Sequence, residues 1–127
     1  MTISPDINDP KVVAEVREVF LRYEKALVEN DIAVLDELFW DSPHTLRYGS
    51  AENLLGMAAI RAFRQARDPA GLARVLQNTV ITTFAWDFAT VNTEFVRPGK
   101  PVGRQSQTWV RMPQGWRIVA AHISFLA

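Results

Sequence analysis

Three places in the chain carry side chains whose types and spacing could do chemistry on a small anion. Tyr23 lies three residues after Phe20 and four after Val19, on the apolar stripe of a helical segment, so its ring faces a core. A buried phenol seeks a hydrogen-bond partner. It either satisfies a backbone carbonyl or stands at a pocket wall, where it can donate a proton or a hydrogen bond. Arg47 sits in the stretch HTLRYG and alternates with Leu46 and Tyr48. If those two pack inward, Arg47 is a surface residue. With the opposite pleat it is a guanidinium inside the fold, which calls for an anion, and a ligand carboxylate matches its forked donors. The third place is GRQSQTWVR, residues 103–111. A half-buried strand alternates apolar and polar residues. This one opens with Arg104, Gln105, Ser106 and Gln107, polar on both faces, before it reaches Trp109.

The hairpin that follows decides which of these side chains share a face. An even-length loop around Met112–Gly115 pairs Arg111 with Trp116. It then places Gln105, Gln107, Trp109, Ile118, Ala120, His122 and Ser124 on one side, apolar near the turn and polar further along. That gradient suits a pocket with a packed narrow end and a binding wide end; an odd loop reverses it. The same face also suits a dimer interface or a cross-strand hydrogen-bond network. Arg64 and Arg67 fall in the last turn of a helix, and complementing its dipole is the preferred reading over ligand binding. Glu52 and Glu94 are lone carboxylates, and Glu94 is expected to pair with an arginine of a neighbouring strand. No nucleophile-elbow, phosphate-loop, dinucleotide or zinc pattern occurs.

These residues need elements to position them. Asp9-Pro10 is a helix start, with aspartate at the N-cap and proline at the first helical position. Val12, Val16, Val19, Phe20, Tyr23, Ala26 and Leu27 then recur at three- and four-residue steps, which predicts a helix over about Pro10 to Glu29. Asp31 caps a short second helix, DIAVLDELFW. HTLRYG is a short strand, and GMAAIRAFRQAR a third helix. From Leu72 the period shifts toward two. VLQNTVITTFAW, FATVNTEFVR, GRQSQTWVRM and GWRIVAAHISFLA read as strands separated by Trp86-Asp87, Pro98–Pro101 and Pro113–Gly115. Helices followed by a meandering antiparallel sheet predict an α+β fold with three N-terminal helices on one face of the sheet. A long helix across a curved sheet makes a cone, and its open end is a natural pocket.

Composition bounds the rest. The 127 residues suffice for one domain with a real core. Fourteen basic and 14 acidic residues give a formal net charge of +0, so no basic excess draws the chain to nucleic acid or a membrane surface. The absence of cysteine excludes disulfides, thiolate metal sites and a cysteine nucleophile, and two histidines make a His-rich metal cluster unexpected. The polar opening MTISPDINDP shows no secretory signal, and no apolar run approaches a membrane span. A cytoplasmic location is the expectation.

Several segments taken together resemble the AtzH-like family of the SnoaL-like, NTF2-like superfamily. They are LFW at 38–40, LRYG at 46–49, AIRAFRQAR at 59–67, ITTFAWDFATVNTEF at 81–95, GRQSQTWVR at 103–111 and GWRIVAAHIS at 115–124. The resemblance implies a cystatin-like cone, usually a homodimer, with a role in small ureido-acid catabolism. One branch decarboxylates 1,3-dicarboxyurea to allophanate. Another, the HpxZ type, goes with oxalurate use, and both lie near amidases. The family's helix-one tyrosine and first-strand arginine match Tyr23 and Arg47. On this combined reading Arg47 holds a carboxylate of a small anionic substrate and Tyr23 supplies a proton. Arg104, Gln105 and Gln107 position the urea, His122 orients from behind, and no metal or organic cofactor is needed. The alternatives are an anion-binding or amidase-accessory protein, and an isomerase or dehydratase, which would want an acidic base that the sequence does not place.

Overall fold

The computed structural model describes residues 6–127. The reading of the N-terminus as free of a secretory signal rests partly on residues 1–5, which lie outside the described residues. Helix α1 (Pro10–Glu29) begins where the aspartate–proline pair places it, with Asp9 Oδ1 accepting from the Lys11 N–H at 2.9 Å. It ends at Asn30, whose left-handed backbone (φ 54°) turns its N–H onto the carbonyls of Ala26 and Leu27. Helix α2 (Ile32–Leu38) is capped by Asp31, whose carboxylate accepts from the Val34 N–H. Strands β1 (Leu46–Tyr48) and β2 (Asn53–Leu55) form a short hairpin, and helix α3 (Met57–Ala66) follows. The helices are therefore not one N-terminal block, because two strands separate the third from the others.

Four long strands complete the chain: β3 (Val75–Phe84), β4 (Phe88–Val96), β5 (Gly103–Met112) and β6 (Gly115–Phe125). The six-stranded sheet has the order β2-β1-β6-β5-β4-β3. The sheet is not wholly antiparallel as expected, since β1 runs parallel to β6. Strands far apart in sequence can pair in either direction, and the local pattern of a three-residue strand does not record which. β2 escaped the sequence reading for the same reason: three residues show no period.

The even-length loop holds, with Arg111 opposite Trp116 and Trp109 opposite Ile118. Beyond that point a β-bulge intervenes. Thr108 pairs with Ala120 and Trp109 with Ile118, so Val119 is the extra residue on β6. The slip exchanges the two faces of the rest of β6. Ala121 and Ile123, not Ala120, His122 and Ser124, share the inner face with Gln107 and Gln105.

The core lies between the inner face and the helices. Val12, Val16, Phe20, Tyr23 and Leu27 of α1 join Leu35, Leu38, Met57 and Ile60 against Val91, Trp109 and Ile118. Fully buried apolar side chains of this size contribute roughly 1.5–3 kcal/mol each. This layer fixes α1 on the sheet, and with it Tyr23.

Candidate functional site

At the end of the sheet where β5 turns polar, a cavity of about 120 Å³ opens. Tyr23 and Leu27 line it from α1, Arg47 from β1, and Ser50 and Glu52 from the β1–β2 turn. Arg67 lines it from the end of α3, Leu72 and Arg74 from the approach to β3, and Phe95, Arg97, Ile123 and Phe125 from the sheet and its edge. Four arginines line it against Glu52, and Glu24 compensates Arg74 from behind, so its walls keep a net positive charge.

Arg47 resolves its two sequence readings by its register. It pairs with Ala121, an inner-face position, so its side chain turns into the fold, where it is 8% exposed. There its Nη1 donates to Glu52 Oε1 at 3.0 Å. Gly49 permits this, because a side chain at that position would collide with the Glu52 carboxylate. Tyr48, on the other pleat, packs edge-on against His122 on the outer face.

Tyr23 is buried, and no described residue hydrogen-bonds its hydroxyl. Its ring leans on Phe39 at a centroid distance of 6.3 Å. The guanidinium of Arg64 lies over the other ring, 4.2 Å from the Phe39 centroid, and Arg64 Nη1 donates to Asp36 Oδ1 at 2.9 Å. Arg64 is thus more than a helix-dipole cation. It is 3% exposed and clamps the aromatic support of Tyr23 to α2. Burial pushes its guanidinium below the ordinary value, against the raising influence of Tyr23 and Asp36.

A second buried pair closes the opposite wall. Arg74 donates through Nε and Nη2 to both oxygens of Glu24, at 2.9 and 2.7 Å, and through Nη2 to Gln105 Oε1 at 3.0 Å. Such two-point contacts fix a guanidinium in orientation as well as in charge. Glu24 stands one residue beyond Tyr23 on α1, so the pair also fixes that turn of helix.

The residues singled out from sequence thus divide. Tyr23 and Arg47 meet at the cavity. Gln105 reaches it through Arg74, and its Nε2 has no partner. Gln107 lies deeper, accepting from the buried Trp109 indole at 3.1 Å. Arg104 and His122 stand on the outer face, both exposed, and contrary to expectation neither lines the cavity of Tyr23 and Arg47; Arg104 borders a separate surface pocket with Gln105, Ser106 and Asn92. The bulge at Val119 is the reason for His122, and simple alternation from Gln105 the reason for Arg104. Glu94, expected to pair with an arginine, instead accepts from Gln77 and Asn78 at 2.9 and 3.2 Å.

Two arginines that the sequence reading did not bring to a site belong to it. Arg67 lies at the C-cap of α3 and Arg97 just past β4, and both line the cavity. Arg67 leaves Nε and Nη2 buried without a partner, and Arg97 leaves Nε. Burial lowers the pKa of each, and for Arg67 the nearby Arg47 adds to the effect. Guanidiniums remain charged at neutral pH even so. Their sequence signal was weak, since a cation at a helix end or a strand end is ordinary.

The AtzH-like family profile matches residues 5–127. The chain belongs to the AtzH-like family. This AtzH-like chain is 59% identical to a protein of unknown function from Pectobacterium atrosepticum, over 96% of each chain and with a TM-score of 0.95. A cystatin-like fold protein from Burkholderia xenovorans is 52% identical over 97% of this chain and 98% of its own, with a TM-score of 0.92. An NTF2-like superfamily protein from Salmonella enterica is 26% identical over 93% of each chain, with a TM-score of 0.75. No curated protein matches the chain. The α+β cone read from helix and strand periods is therefore the cystatin-like, NTF2-like fold of this family. Among the described residues no helix is long and apolar enough to cross a membrane.

Proposed function

We propose that this protein takes part in small ureido-acid catabolism by decarboxylating an N-carboxylated urea, with 1,3-dicarboxyurea as the leading substrate. The observation that carries this reading is the meeting of Tyr23 and Arg47 in one small cationic cavity: a phenol without a protein partner beside a buried guanidinium.

In this reaction the N–C bond to a carboxylate breaks. Its electron pair stays on nitrogen, nitrogen takes a proton, and the carbon leaves as carbon dioxide. From 1,3-dicarboxyurea the remaining product is allophanate. Protonated nitrogen is the electron sink, so the step asks for a proton donor and an anion clamp rather than a cofactor. Arg47 holds a carboxylate, which takes the place of Glu52 on its Nη1. The Tyr23 hydroxyl delivers the proton and recovers it from water. Gln105 accepts from Arg74 and so positions that guanidinium at the cavity wall, where it faces the urea. A positioned acid of this kind contributes typically about 10²–10⁴-fold, which suits a carbamate that also decomposes unaided.

Steady-state kinetics on freshly generated 1,3-dicarboxyurea test the assignment. Tyr23→Phe removes only the acid and should lower kcat by about 10²-fold or more with KM little changed. Arg47→Ala should raise KM sharply. A Tyr23→Phe enzyme with wild-type kcat removes the tyrosine from the mechanism.

A further inference from the structure

Two phenylalanine rings, Phe95 in the cavity wall and Phe63 behind it, each carry a pair of cavity guanidiniums. Phe63 lies beneath Arg47 and Arg67, at 5.1 and 5.7 Å from its centroid. Phe95 lies beneath Arg74 and Arg97, at 4.3 and 5.0 Å. In each pair one member is neutralised: Arg47 by Glu52 at 3.0 Å, and Arg74 by Glu24 at 2.7 Å. The other member has no carboxylate within ion-pair distance among the described residues. Arg67 and Arg97 are the cavity arginines that keep buried N–H groups without a partner.

Arg67 and Arg97 are half-buried, and Arg97 Nη2 also donates to the Leu72 carbonyl at 3.4 Å. A partly desolvated guanidinium with unsatisfied donors and no counter-charge costs the protein that holds it stability. Two such groups in one small cavity are explained when a ligand supplies the missing charge. We propose that Arg67 and Arg97 form a second anion subsite beside that of Arg47, and that the cavity thereby selects small dicarboxylates over monocarboxylates of the same length. One carboxylate displaces Glu52 from Arg47, and the other lies against the guanidiniums of Arg67 and Arg97 that line the cavity. The aromatic rings hold these guanidiniums in place before the ligand arrives, which reduces the ordering cost of binding. Arg67 and Arg97 are on this account specificity-determining residues. The inference rests on the anion-binding part of the function proposed above and not on turnover.

Titration calorimetry with glutarate and its monoamide, glutaramate, tests it. The two have the same chain length and differ by one charge, and neither has an N–CO₂⁻ bond to lose. Glutarate is expected to bind the wild-type protein about tenfold more tightly or better, as a charge-assisted hydrogen bond allows. Arg67→Gln and Arg97→Gln should each remove most of that advantage, weakening glutarate far more than glutaramate. Without ligand, both variants should melt at or above the wild-type temperature, because the guanidinium removed was uncompensated. Equal affinity for the two ligands, no binding of either, or a preference that survives both substitutions overturns the proposal. So does a fall in melting temperature with the glutarate preference intact, which would mark the arginines as structural. Glutarate selection without carbon dioxide release from dicarboxyurea would uphold the subsite and remove the decarboxylase reading alone.

Discussion

Glu52 stands where the substrate's carboxylate is proposed to go. Its Oε1 on Arg47 keeps the cavity from holding a third arginine without a carboxylate, and substrate must compete with it. Glu52→Gln should therefore move two readouts in opposite directions. Ligand-free stability falls, by roughly the 1–3 kcal/mol typical of a partly buried charged hydrogen bond, while anion affinity rises. Thermal melts and a glutarate titration check this; a variant that loses both stability and affinity would make Glu52 part of the ligand contact instead. Residue by residue, the site was unevenly legible. Tyr23 could be placed because a helical stripe has one inward side. Arg47 could not, because a three-residue strand leaves its pleat undetermined until its parallel partner is known. Arg67 and Arg97 were hidden by position, since what marks them is the absence of a carboxylate in space.

Elements hold these side chains through contacts that can be broken one at a time. The Phe95 ring lies over Gly103 on the neighbouring strand, and a Cβ at that position would run into the ring. Gly103→Ala must displace Phe95, which carries Arg74 and Arg97. Overpacking of this kind typically costs about 1–3 kcal/mol. We expect a lower unfolding midpoint together with weaker glutarate binding; unchanged affinity would show that the ring does not position the arginines. The β-bulge is the other controlling feature. The turn chemistry of Pro113–Gly115 set the register near the loop correctly, but a single extra residue at Val119 leaves no mark in a stretch as evenly apolar as IVAA. From there onward each side chain of β6 faces opposite to the simple alternation, and His122 leaves the site.

At the scale of the whole molecule, α1 is tied to the β5–β6 hairpin by Glu15, which accepts from Arg111 Nη2 at 2.6 Å and from the Trp116 indole at 3.1 Å. The Trp116 hydrogen bond first, and Arg111 next, hold the Glu15 carboxyl below the ordinary 4.5. A depressed carboxyl stabilises the fold above its unfolded value, and the contribution is lost as pH falls through the native one. The pair is exposed, so the effect is under about 1 kcal/mol. Urea unfolding at neutral pH and near pH 3 should show a smaller acid loss for Glu15→Gln than for wild type; an identical loss would clear Glu15. The outer sheet face carries a different expectation. Val80, Phe84 and Phe88 are exposed there, and Phe84 and Phe88 touch ring to ring at 5.9 Å. Exposed apolar clusters mark contact surfaces, and we propose a homodimer through this face. Phe88→Glu should then shift the sedimenting species from dimer toward the 14.4 kDa chain; a wild-type chain that sediments as a monomer would contradict it.

Carbon dioxide release from freshly generated 1,3-dicarboxyurea, with and without the purified protein and followed against the spontaneous rate, tests whether the cavity breaks the N–C bond. A first-order acceleration proportional to protein concentration is expected, with allophanate formed mole for mole and the acceleration lost in both Tyr23→Phe and Arg47→Ala. Release at the spontaneous rate whatever the protein concentration would contradict it, and would leave the cavity as a binding site for a small anion rather than a place where a bond is broken.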